Sequence, residues 1–190
     1  MKIPIDDEHR KLVKEFGAHY TSSLKDVPEY RGFESGLLFS HRDFEEFFRK
    51  LKKGEKVLEI GTCYGYNAVL IAEIVGSEGF VYTTEIVPEL INISKKNIEK
   101  LKIKNIEVIE TDGSQGWKQK APYDKIIITA ACPEIPKPII EQLKVGGNIV
   151  APVGPMFGQK MVKLTNLKKG FKEEYLGEFV FVPLKGKYGY

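Results

Sequence analysis

A hydrophobic strand that empties into a glycine turn and then opens a helix constrains this chain more than any other segment. It spans residues 56–68, KVLEIGTCYGYNA. Gly61 and Gly65 carry no Cβ, so the backbone can turn tightly and approach a ligand, while the helix that follows presents unpaired N–H groups to it. Strand, turn and helix in this order open a parallel sheet whose ligand edge lies at the carboxyl ends of its strands.

The rest of the pattern extends that unit. Apolar runs at 57–60, 80–84, 106–109, 125–129 and 148–152 predict strands, and helical periodicity predicts helices over 67–75, 88–101 and 136–143. Right-handed crossovers place helices on both faces and carry Gly61, Glu85, Asp112 and Thr129 to one edge. Runs at 161–164 and 175–184, around Lys168-Lys169-Gly170, predict antiparallel strands. Upstream, 7–19 reads as a polar helix, Pro28, Gly32 and Gly36 mark a loop, and Phe44, Phe47, Phe48 and Leu51 form a core-facing stripe at helical spacing. The expected fold is α/β: a Rossmann-like, doubly wound, mostly parallel sheet with antiparallel C-terminal strands. One domain is expected over 1–190, with 1–53 as an N-terminal helical cap or lid and 54–190 as the core. A chain of 190 residues with 42% hydrophobic content can bury one such core.

The strand ends select among nucleotides. A dinucleotide turn wants glycines where Cys63 and Tyr66 stand, and a phosphate loop wants a Lys followed by Ser or Thr after its glycines, which this turn lacks. Glu85 ends the next strand, FVYTTE, where a carboxylate can accept both hydroxyls of a ribose. Between Glu59 and Val81 there is no Lys or Arg to balance a pyrophosphate. An adenosine without phosphate fits, and the expected ligand is S-adenosyl-L-methionine. Asp112, in VIETDG, ends the strand after that; in a D-G pair it also reads as a turn Asp that caps its own backbone.

Charge and cysteine usage exclude other classes. The formal net charge of +3 arises from interspersed Lys and Glu, as in KKNIEKLKIKNIE, which reads as a solvated helix face, so nucleic acid is not an expected partner. Cys63 and Cys132 are spaced for neither a zinc cluster nor a disulfide framework. With no secretory or spanning pattern, a cytoplasmic location without a membrane partner is expected. Oligomeric state is not set by these features.

From residue 56 onward the chain resembles the protein-L-isoaspartate O-methyltransferase family. The resemblance rests on VLEIGTCYGYNA, VYTTEIVPEL, DGSQGW, APYDKIIITAACPEIPKPIIEQLKVGGNIVAPVG and the closing FVPLKGKYG. It implies methyl transfer from S-adenosyl-L-methionine, leaving S-adenosyl-L-homocysteine, to the carboxylate of an isoaspartyl peptide or protein, a protein-repair activity. It further implies that Glu59, Gly61, Thr62 and Gly65 shape the methionine side of the pocket, that Glu85 takes the ribose hydroxyls, and that Asp112 accepts a hydrogen bond from the adenine amine with the Gly113 backbone beside the ring. Thr129 and Ala130 would flank the methyl donor. Cys63 stands where the family has glycine and adds bulk beside the ligand. The turn is also similar to catechol-type O-methyltransferases, but their strand-end Asp pair for Mg²⁺ is replaced by ITAACP, so no metal is expected.

The acceptor half departs from the family. Before the first strand the family carries a segment of the type G-Q-T-I-S-A-P-H-M, and this chain has ESGLLFSHRDF at 34–44, in a region read as shorter than usual. Leu37 or Leu38 then falls near the family's Ser, and Ser40 and His41 fall by its Pro-His; Ser40 and His41 are the candidate catalytic pair. A carboxylate acceptor, ionised at neutral pH, requires no base. An amine, hydroxyl or imidazole would, which points to His41 or His19, while Arg31 and Arg42 could pair with an acidic substrate. Three functions are therefore open: isoaspartyl carboxyl methylation, transfer to a different small-molecule, protein or RNA acceptor, and donor binding without transfer, with Leu37 and Leu38 plugging the acceptor pocket.

Overall fold

The computed structural model describes residues 45–156 and 158–190. The strands are β1 (Lys56–Ile60), β2 (Phe80–Glu85), β3 (Ile106–Glu110), β4 (Tyr123–Ile128), β5 (Leu143–Val153), β6 (Gln159–Asn166) and β7 (Phe171–Phe179). The helices are α1 (Glu45–Arg49), α2 (Tyr66–Val75), α3 (Pro88–Lys100) and α4 (Lys137–Ile140). All seven strands join one sheet in the order β3-β2-β1-β4-β5-β6-β7. Pairing is parallel from β3 through β5, and β6 and β7 are added antiparallel. The chain winds outward from β1 to β3, then returns to lay β4 against the other side of β1. That reversal opens a crevice at the carboxyl ends of β1 and β4. The fold is thus the Rossmann-like, mostly parallel sheet with antiparallel C-terminal strands.

The central strands are apolar on both faces because both are covered. Leu58, Ile60, Tyr82, Ile126, Ile128, Ile149 and Ala151 point into one core, which Leu90 of α3 and Ile139 of α4 join. Their strand neighbours Val57, Val81, Ile127 and Val150 point into the other, against Phe47 and Phe48 of α1 and Ala68, Ile71 and Val75 of α2. The expected Phe47, Phe48 and Leu51 stripe is buried there. The segments 7–19, Pro28, Gly32, Gly36 and Phe44 lie outside the described residues. Among the described residues, no helix is long and apolar enough to cross a membrane.

Several predicted boundaries move: the last three strands begin at Leu143, Gln159 and Phe171, ahead of the expected 148, 161 and 175. The helix expected to reach 143 ends at Ile140, and Leu143 already pairs with Tyr123 in the sheet. The next register partners are Lys125 and Asn148, so the segment between bulges outward; Gly146 turns at φ 85°, and a Cβ on Gly147 would stand 2.6 Å from the Asp124 carbonyl. The strand expected over 175–184 stops at Phe179, after a bulge at Leu176, between Tyr175 and Gly177 (φ 135°). Phe181 then leaves the sheet edge: its N–H donates to Gln159 Oε1 at 2.7 Å, and its ring is fully buried in the α1–α2 core. Val182 and Leu184 enter the opposite core, and Pro183 bridges Ala131. Apolar burial from both faces wins over continued pairing along an exposed edge. The Lys-Lys-Gly turn is present, with the Leu167 N–H bonded to the Gly170 carbonyl at 2.9 Å.

Because Phe181 fills the junction between the sheet and α1–α2, Phe181→Ala should cost about 3–5 kcal/mol. Urea unfolding should show a lower midpoint at unchanged slope. A loss below 1 kcal/mol would mean that the ring is not a core anchor.

Candidate functional site

The glycine turn after β1 is held from both sides. Gly61 and Thr62 each donate their N–H to the Thr84 carbonyl, at 2.9 and 3.0 Å. Just past the end of β4, the Thr129 hydroxyl lies 2.9 Å from the Ile60 carbonyl and 2.8 Å from that of Gly61. Gly61 sits at φ 96°, and a Cβ there would stand 2.5 Å from Thr129 Oγ1. Gly65, at φ 87°, donates to the Thr62 carbonyl and starts α2. Cys63 adopts φ 49°, a left-handed conformation that only one other non-glycine among the described residues, Lys102, shares. For a residue with a Cβ that conformation costs on the order of 1 kcal/mol.

Glu85 ties this turn to the next strand. Its Oε2 accepts the Cys63 N–H at 2.8 Å, and its Oε1 accepts the Ile86 and Val87 N–H groups at 2.9 and 3.1 Å. An ionised carboxyl offers about four acceptor positions, so three internal bonds leave one for a ligand hydroxyl.

Glu59, two residues before the turn, is fully buried. Thr83 Oγ1 donates to its Oε2 at 2.6 Å and lies 2.6 Å from Thr62 Oγ1, so a hydrogen-bonded chain runs from Glu59 through Thr83 to Thr62 in the turn. The other oxygen, Oε1, is buried without a partner. Burial without a counter-charge raises the carboxyl, the Thr83 hydroxyl lowers it and the nearby Glu85 charge raises it again; the result is a pKa of about 8. Glu59 is therefore largely a neutral acid at pH 7.

Asp112 follows β3 and faces inward on its own turn. Its Oδ1 accepts the Ser114 N–H at 2.9 Å and the Ser114 hydroxyl at 2.6 Å, and its Oδ2 accepts Gln115 Nε2 at 3.3 Å and the Lys187 N–H at 2.9 Å. Burial pushes its pKa up, but these donors outweigh it and hold the carboxyl below its ordinary value. Gly113 lies on the ends of β1 and β2, where a Cβ would stand 2.5 Å from Thr84 Oγ1 and 2.8 Å from Ile60 Cγ2.

The structure thus gathers Glu59, Gly61, Thr62, Cys63, Gly65, Glu85, Gly113 and Thr129 around the crevice, with Asp112 beside them. Ser40 and His41, with Arg31, Arg42, Leu37, Leu38 and His19, lie outside the described residues. Sequence reasoning missed Thr83, Thr84 and Ser114. The signal available for the first two was a Thr-Thr pair in an otherwise apolar buried strand, where hydroxyls need nearby partners.

The geometry can be set beside known proteins. The family described as Protein-L-isoaspartate(D-aspartate) O-methyltransferase (PCMT) matches residues 35–189. Protein-L-isoaspartate O-methyltransferase 1 of Archaeoglobus fulgidus is 47% identical over 140 residues, covering 74% of this chain and 64% of that protein. The Pyrococcus horikoshii protein-L-isoaspartate O-methyltransferase is 48% identical over 142 residues, with the same two coverages. The chain therefore spans somewhat less than two thirds of the length of these curated relatives. A solved protein-L-isoaspartate O-methyltransferase superposes with a TM-score of 0.72 at 30% identity, over 78% of this chain and 49% of that one. A Plasmodium falciparum structure, titled as a putative member of this family in complex with S-adenosyl-L-homocysteine, shares the fold with a TM-score of 0.69 at 20% identity, over 93% of this chain and 98% of that one.

Two outcomes test the site's construction. Gly61→Ala should lose about 2–3 kcal/mol, from φ strain and the clash with Thr129, read as a lower urea midpoint. For Glu59, the folded pKa lies above the unfolded one, so the folded state holds the extra proton between pH 4.5 and about 8, and its stability falls as pH rises through that window. Glu59→Gln removes this loss. Its melting temperature relative to the unaltered protein should climb across the window and level off below it; a constant difference would mean that Glu59 is ionised in the fold.

Proposed function

The chain belongs to the protein-L-isoaspartate(D-aspartate) O-methyltransferase family, and we propose that it transfers a methyl group from S-adenosyl-L-methionine to the side-chain carboxylate of an isoaspartyl residue in a peptide or protein. The observation that carries this reading is the family match itself, which spans the whole crevice and also the segment holding Ser40 and His41. Its place in cells would be protein repair in the cytoplasm.

The residues of the crevice fit the donor. A partnerless buried oxygen on Glu59 and one open acceptor position on Glu85 suit a ligand rich in polar groups, and the Cβ-free turn lets backbone approach it. Glu85 would hold the ribose. Asp112 and Gly113 would border the adenine, while Glu59, Gly61, Thr62, Cys63 and Gly65 would border the methionine portion, with Thr129 beside the methyl group. When bound, the donor supplies an electrophilic methyl carried on a sulfonium. The protein's task is then positioning, which can account for several kcal/mol of the barrier. An acceptor carboxylate with a pKa of about 4 is already ionised at pH 7, so no side chain need remove a proton. Ser40 and His41 would close the acceptor side as positioning groups.

A second reading, the same transfer to a different acceptor, draws on the departure of ESGLLFSHRDF from the family pattern. Incubation with labelled donor and an isoaspartyl peptide, followed by mild alkali, should release volatile labelled methanol. Labelling without such release would favour the second reading, and no labelling at all would leave donor binding alone. Glu85→Ala should weaken S-adenosyl-L-homocysteine binding more than tenfold by calorimetry, given one charge-assisted bond of roughly 1.5–3 kcal/mol and the loss of the acceptor that holds the Cys63 turn. Unchanged affinity would remove Glu85 from the ribose site.

A further inference from the structure

A buried amide grips the turn that follows β3. Gln142 lies between α4 and β5, and both polar atoms of its side chain are engaged. Its Oε1 accepts the Trp117 N–H at 2.8 Å, while its Nε2 donates to the Gln115 carbonyl at 2.8 Å and to the Pro138 carbonyl at 2.9 Å. The amide thus pairs with the backbone groups on either side of Gly116, as an opposing peptide group would. Gly116 sits at φ 68°, and a Cβ there would stand 2.5 Å from Gln142 Nε2 and 2.6 Å from Oε1, so the clasp closes only on a residue without a side chain. The main chain of Gln142 is itself fixed: its N–H donates to the Ile139 carbonyl at 3.1 Å, and its carbonyl accepts the Tyr123 N–H at 2.8 Å. Tyr123 returns to the same turn, its hydroxyl donating to the Trp117 carbonyl at 2.5 Å. Through Gln142, the end of α4 and the start of β4 therefore set where this turn lies.

The turn cannot supply that support itself. Gly113 and Gly116 have no side chains, Gln115 is exposed, and three of the four donors on Asp112 come from within the turn. At its front, Gly113 rests on Thr84 and Ile60 too closely for a Cβ, and the Thr84 carbonyl holds the glycine turn after β1. A binding edge made of backbone works when it is held to within about 0.5 Å by neighbours whose own positions are locked. Gln142 provides such a hold at the far end of the turn. We infer that Gln142 is a positioning residue of the donor pocket, which through Gly116 sets the turn 112–116 against the ends of β1 and β2, at the place proposed above for the adenine. The pocket role rests on that placement; the clasp does not.

Trp117 is the one tryptophan of the chain, so the clasp has its own signal. Its indole packs against the core with Nε1 buried and without a hydrogen-bond partner among the described residues. Released to water, the indole would gain a partner and emit at longer wavelength. Gln142→Met keeps the length and volume of the side chain and removes its three hydrogen bonds. Gly116→Ala drives a methyl group into the same amide. With far-UV circular dichroism unchanged, both variants should emit at longer wavelength than the unaltered protein. Both should bind S-adenosyl-L-homocysteine about tenfold more weakly by calorimetry, and their KM for S-adenosyl-L-methionine should rise by a similar factor with kcat within about twofold. A loss of folded protein alone would lower kcat and leave KM unchanged. Unshifted emission from folded Gln142→Met, or from folded Gly116→Ala where Gln142→Met does not fold, would overturn the clasp. Shifted emission with S-adenosyl-L-homocysteine affinity within about twofold of the unaltered protein would overturn the pocket role. If the unaltered protein binds no S-adenosyl-L-homocysteine, the proposed donor placement and the pocket role fall together, while the emission still decides the clasp.

Discussion

One carboxylate joins the ends of the neighbouring strands β1 and β2. Glu85 collects the Cys63 N–H from the turn after β1 and the Ile86 and Val87 N–H groups from the turn after its own strand. These are donors that parallel pairing cannot satisfy, because each strand ends where its ladder ends. By accepting them, Glu85 fixes the glycine turn relative to β2, and the Thr84 carbonyl locks the same turn through Gly61 and Thr62. The crevice is therefore built before any ligand enters it. A carboxylate already held by three backbone donors needs little rearrangement to accept one more, which is the physical content of preorganisation.

Glu59 shows the opposite trade. A carboxyl group in the middle of a fully covered strand, with one oxygen unpartnered, costs stability wherever the unfolded chain would ionise. A leucine would pack there without that cost. The Thr83 and Thr62 hydroxyls that reach Glu59 form a buried polar thread from the sheet interior to the turn. Local rules broken in this way cluster at functional edges, and the left-handed Cys63 is a second such break at the same turn.

Much of the fold was legible because its strands are buried on both faces and read as continuous apolar runs, while α3 places Leu90, Ile91 and Ile98 inward at helical spacing. The failures were at boundaries where long-range contacts outweigh local pattern. Residues 175–184 look like one strand, yet Phe181 is drawn into one core and Val182 and Leu184 into the other, which no periodicity announces. Leu143 continues a helical pattern, but Tyr123 claims it for the sheet. Within the candidate site, Gly61, Glu85 and Thr129 could be placed from strand ends alone. Thr83 and Ser114 could not, because their partners are distant in sequence or lie on a returning segment.

The sequence alone determined the order of strands and helices, the glycine turn and the absence of a basic residue beside it, since these follow from periodicity, missing Cβ atoms and the charges nearby. Tertiary structure decided how the acids are used. Glu59 became a neutral buried acid because the sheet removed water from it and supplied no cation. Asp112 became an acceptor for the C-terminal segment because folding brought Gly186 and Lys187 to its turn. Protonation and hydrogen-bond partners depend on what surrounds a group in space, and that is set only when segments far apart in the chain meet.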